Sequence, residues 1–190
     1  MSKFDSDVDA VLAGDGPIPR ESVLLWIEGT TDSDLSGLSK LYRLTDQGYH
    51  RIQPELGIEL TCSLIQRYLL GCIRERVTGN EEILERFEAA QSLHFWLRHL
   101  LGMEGGSAVI TKAAHAVTQL FVEGDEDIRY VIETAFLEHA LETAALRPYF
   151  EHWASDPILQ AAWAPALEWG KAHPDFMWGL SQRSDRSKWE

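Results

Sequence analysis

The feature that most constrains this chain is a nearly unbroken series of helix start and stop signals. Apolar residues recur between them at helical spacing. Pro19 stands at the first turn of a short helix through RESVLLWIE. Thr31 or Asp32 is placed to cap a helix carrying Leu35, Leu38, Leu41 and Tyr42. Pro54 opens the longest stretch, PELGIELTCSLIQRYLLGCIRERV, which stops before Thr78 and Gly79. Asn80 caps EEILERFEAAQSLHFWLRHLL, and Gly102 closes it. Ser107 begins SAVITKAAHAVTQLFV, and the loop EGDED (123–127) leads into a helix over 128–146. Pro148 breaks that helix before YFEHW, and Asp156 with Pro157 restarts one through ILQAAWAPALEWGKAH. The one alternating stretch, YHRIQPEL, is short and interrupted by proline. The pattern predicts an all-α, single-domain bundle of about seven helices over 17–180. An acidic arm at 1–16, frayed or briefly helical, precedes it, and a disordered tail at 181–190 follows.

The helix over 128–146 carries apolar residues on most sides, Tyr130, Leu137 and Leu141 among them. It is therefore expected to be a buried central helix. Its segment IETAFLEHALE sets three carboxylates and a histidine among Ile, Phe, Leu and Ala, which raises the question of a buried polar site. At 100° per residue, His139 falls in the stripe of Ile128, Ile132, Ala135 and Leu146. On the helix from Asn80, His94 falls in the stripe of Ile83, Phe87, Ala90, Leu97 and Leu101. Glu142 follows His139 by three residues and can touch it, whereas Glu133 is nearly opposite Glu142. His115 lands on a polar face with Thr111, Lys112 and Gln119.

Two readings of His94, His139 and Glu142 stay open. They form a buried polar network satisfied by arginine and backbone groups, or they are a metal or acid–base site. The first is preferred, because the Glu-x-x-His step of di-metal bundles is absent: Gln91 and Phe136 stand three residues before the two histidines. There is also no His-Glu-x-x-His and no cluster of cysteine ligands. No cofactor is expected.

Other motifs point away from catalysis. EGDED lacks the ligand spacing of a calcium loop and reads as a solvated acidic turn before a helix N-terminus. GMEGGS has no Gly-Lys-Ser/Thr ending and reads as a helix end and linker. No serine sits in a Gly-x-Ser-x-Gly context. Cys62 and Cys72 lie ten apart on one helix, about 15 Å along its axis, too far to bridge, and read as reduced core thiols. Reduced thiols, an N-terminus without a signal-peptide core and the lack of a membrane-spanning run together predict a cytoplasmic protein. The net charge of −13 disfavours nucleic acid and anionic lipid as partners and suits a basic protein.

The segments IETAFLEHALE, LRPYFEHW and WGKAHPDF, with ILERFEAAQSLHFWLR behind them, resemble small all-helical bacterial immunity proteins from polymorphic-toxin neighbourhoods. The likeness spans residues 80–177. It implies a non-catalytic protein that neutralises a cognate toxin by direct binding. In that reading the acidic loop residues Glu123, Asp125, Glu126 and Asp127 face the partner and steer it electrostatically. The alternatives are a metal-binding or enzymatic bundle using His94, His139 and Glu142, and a homo-oligomeric scaffold or regulator.

Overall fold

The computed structural model describes residues 3–77, 79–80 and 82–176, with the side chains of residues 3–6 and 47 left aside. The expected tail at 181–190 lies outside these residues. The chain is all-α. Among the described residues the only strands are a two-residue parallel pair, Ile18–Pro19 (β1) against Ile52–Gln53 (β2). It falls into two compact units, Met1–Glu85 and Arg86–Glu190.

The first unit holds α1 (Lys3–Ala13), α2 (Arg20–Gly29), α3 (Leu35–Gln47) and α4 (Ile58–Arg74). The acidic arm belongs to it: α1 buries Val8, and Asp9 accepts a 2.8 Å bond from the largely buried ammonium of Lys40. The apolar centre comprises Ile18, Val23, Leu41, Leu44, Ile52, Leu56 and Leu64. The α3 cap is Asp34, not Thr31 or Asp32. Its carboxylate accepts from the Gly37 amide at 2.9 Å. Asp32 instead pairs with Arg67 at 2.6 Å, and the same guanidinium donates to the Thr30 carbonyl. The helix expected from Pro54 begins at Ile58, after Gly57 turns the chain through φ +88°, a conformation that favours glycine. Gly71 lets α3 and α4 approach, since a Cβ there would stand 2.7 Å from Leu35.

The helix expected to start at Asn80 starts at Arg86. Asn80 makes a turn, accepting from the Glu82 amide at 3.1 Å. Residues 82–84 are held to the first unit: the Ser39 hydroxyl donates to the Glu82 carbonyl, and the Leu84 amide donates to the Tyr68 hydroxyl at 3.0 Å.

The second unit contains α5 (Arg86–Leu100), α6 (Gly106–Glu123), α7 (Glu126–Val131), α8 (Glu138–Glu142) and α9 (Gln160–Ala172). A π-helical segment, Ile132–Leu137, joins α7 to α8, and a run of 3₁₀ helix, Ala144–Ser155, follows. The single α-helix expected over 128–146 is therefore a composite that ends at Glu142. A π turn holds one more residue than an α turn, so the inward face advances by one position across it. Ile128 and Val131 are buried before it, Ile132, Ala135, Phe136 and Leu137 within it, and Ala140, Leu141 and Glu142 after it. That advance moves His139 from mid-stripe to its edge. Tyr130, expected to be buried, is 59% exposed.

Packing in this unit is aromatic and close. Phe136 meets Phe150 edge-on at 5.6 Å, and Trp153 lies 4.9 Å from Phe121 between ring centres. Trp153 is fully buried, and its indole N–H donates to Thr118 at 2.8 Å. At Gly170, a Cβ would come within 2.5–2.6 Å of the Leu141 carbonyl group, so glycine lets α9 press against α8. Arg147 ties the same place, donating to the Leu141 carbonyl at 2.8 Å.

Candidate functional site

Three places in the second unit carry side chains that the core alone does not explain. The first joins α5 to α8. His94 is 1% exposed, and the His139 ring stands 6.0 Å from it between centres. His139 Nδ1 lies 2.7 Å from Glu142 Oε1, and Glu142 is itself buried. The structure thus brings together the three residues singled out in the sequence. Helical spacing explains the contact between His139 and Glu142, three residues apart. Burial lowers the His94 pKa to about 3, assisted by the nearby His139 and Arg98, so its ring is neutral at ordinary pH. Its Nδ1 is buried and meets no partner in hydrogen-bond geometry, although the Gln91 backbone is near enough to oppose the lowering of the pKa.

Arg98, one turn beyond His94, donates to the Thr143 hydroxyl at 2.9 Å and pairs with Asp175 at 2.5 Å. That pairing offsets part of the charge that Arg98 presents to His94. Glu138 sits half-buried next to His139, and burial raises its pKa. Among the described residues no group of three or more His, Cys, Asp or Glu side chains is arranged to hold a metal ion.

The second place is on the surface. Phe87, expected in the buried stripe of α5, is 44% exposed and meets Tyr130 edge-on at 6.0 Å. Glu126 and Asp127, in the first turn of α7, lie four and three residues before Tyr130 and so share its side of the helix. Of the four acidic residues expected to face a partner, Glu126 and Asp127 are exposed in this position. Asp125 has a structural task, capping α7 by accepting from the Ile128 amide at 2.8 Å. Glu123 is exposed and accepts from the Gln119 side chain at 2.9 Å.

A third arrangement was not foreseen in the sequence. His115, on its exposed face as expected, stacks on His152 with ring centres 5.7 Å apart and planes 11° apart. His152 Nε2 lies 3.0 Å from the Thr118 hydroxyl. Thr118 gives its single proton to the Ala114 carbonyl, so both Trp153 and His152 must donate to it. Nothing in the local pattern places residue 152 there, because it comes from the irregular 3₁₀ run.

The cysteines are free and buried. Burial pushes the Cys72 thiol up to about 11 and raises that of Cys62, which disfavours the thiolate a nucleophile needs. No helix among the described residues is long and apolar enough to cross a membrane. Comparison with protein-family models, with curated proteins and with solved structures found no match.

Proposed function

We propose that this chain is a non-catalytic, acidic protein-binding protein that acts in the cytoplasm by neutralising a cognate bacterial toxin through direct contact. The supporting observation is the exposed Phe87–Tyr130 pair beside Glu126 and Asp127. Half-exposed aromatics supply contact area and affinity at protein interfaces, where such residues dominate the binding energy. Carboxylates at the rim attract a basic partner and raise its association rate. The overall charge of −13 extends the same preference over the whole molecule.

Co-purification with the product of the neighbouring coding sequence tests the proposal, followed by titration of the purified pair. Tyr130→Ala should slow nothing in folding yet weaken the complex by roughly tenfold or more, as truncation of an interface anchor does. Glu126→Lys with Asp127→Lys should lower the association rate and flatten its dependence on salt. Binding that is indifferent to all three substitutions refutes this face as the docking surface. A partner that never forms a complex refutes the function.

A further inference from the structure

A buried polar atom without a partner is costly, and native proteins rarely leave one so. His94 Nδ1 is such an atom. Another imidazole, that of His139 on a different helix, stands 6.0 Å from the His94 ring between centres. Glu142 holds His139 through Nδ1, which leaves Nε2 as the ring nitrogen available to a ligand. A carboxylate on the far nitrogen is the arrangement that commonly orients a metal-binding histidine and raises its basicity.

We propose that His94 and His139 form a two-histidine binding site for a first-row transition-metal ion of the zinc or copper kind, with Glu142 as the positioning residue. Imidazole pairs without thiolate or direct carboxylate ligands select this class over magnesium or calcium, which prefer oxygen. Among the described residues no third His, Cys, Asp or Glu joins the two nitrogens, so water or a small exogenous ligand completes the coordination sphere. His139 is 12% exposed at its side chain, which sets this end of the pair toward solvent. Arg98 acts on His94 with its charge, and its pairing with Asp175 at 2.5 Å offsets only part of that charge. The π-helical segment gives the site its register: without its extra residue, His139 and Glu142 would be turned to a different side of the helix. Such segments are frequent at functional sites.

The test uses the full chain, stripped of metal with chelator and titrated separately with zinc(II), nickel(II) and copper(II). One-to-one saturable binding is expected, with the melting temperature rising as free metal rises. His94→Gln and His139→Gln should abolish it, and Glu142→Gln should weaken it about 10- to 100-fold. The double variant His115→Gln with His152→Gln should bind as the unaltered chain does. Because a buried variant can fail to fold, the unaltered protein is also followed by NMR of its imidazole nitrogens. Bound metal should move the signals of His94 and His139. The proposal is overturned if no metal binds stoichiometrically, if folded His94→Gln binds undiminished, or if only the His115 and His152 signals move.

Discussion

Acid should destabilise the second unit through His94, and the size of the effect follows from its burial. The folded ring has a pKa near 3, against 6.5 for a free side chain. Between these values the unfolded chain binds a proton that the folded chain refuses, so stability falls as the pH falls. The contribution is intact above pH 6.5 and is lost progressively down toward pH 3. Integrating one proton between pH 7 and pH 5 gives a loss of about 2 kcal/mol, with a limiting slope of about 1.4 kcal/mol per pH unit. Glu133 and Glu138 act in the opposite sense, since burial raises their carboxyl pKa values and acid then favours the folded state.

The comparison must therefore be between the unaltered chain and His94→Leu, in chelator, where those carboxylates cancel. Urea unfolding at pH 7, 6 and 5 can be followed by tryptophan fluorescence, which reports largely on Trp96, Trp153, Trp163 and Trp169 of this unit. The stability difference between the two proteins should shrink by about 2 kcal/mol in favour of the variant as the pH drops. Parallel pH profiles for the two proteins would show that His94 is not held neutral by burial, and the reasoning would fail.

Three further outcomes follow from the packing. Gly170→Ala should destabilise the second unit by roughly 1–3 kcal/mol, because its methyl meets the Leu141 backbone, which cannot move aside as a side chain would. Thermal unfolding checks this, and an unchanged midpoint would mean that α8 and α9 are less closely packed than described. Thr118→Val should cost about 1–3 kcal/mol and alter Trp153 emission, since the buried indole N–H loses its acceptor. Asp125→Ala should cost about 0.5–2 kcal/mol by uncapping α7, whereas Glu126→Gln at the neighbouring exposed position should be nearly neutral in the same denaturation assay.

Helical class was legible because apolar spacing is a local signal repeated in every segment. The pairing of His139 with Glu142 was legible for the same reason, being a three-residue step on one helix. The facing of His94 and His139 could be suspected from two inward wheels, but only packing brings the rings to 6.0 Å. Other features depend on terms that a helical wheel does not contain. The π segment shifts the inward face with no proline or glycine in IETAFL to announce it. Phe87 and Tyr130 have the hydrophobicity of core residues, so composition assigned them inward, yet both present much of their surface to water. Asn80 carries a helix-capping side chain but satisfies a turn, and Asp34 wins the cap of α3 over Thr31 and Asp32 because it stands three residues before the Gly37 amide.

The bonds from Ser39 and Tyr68 to residues 82 and 84 determine where the protein can be cut. A fragment ending soon after α4, where the last helical turn closes at Arg74, would strip the Tyr68 hydroxyl of the Leu84 amide and Ser39 of its acceptor. Tyr68 is buried, so both losses would fall inside the apolar interior of the excised piece. A fragment carried through Glu85 keeps both bonds, and the natural seam for dividing the chain lies between Glu85 and Arg86.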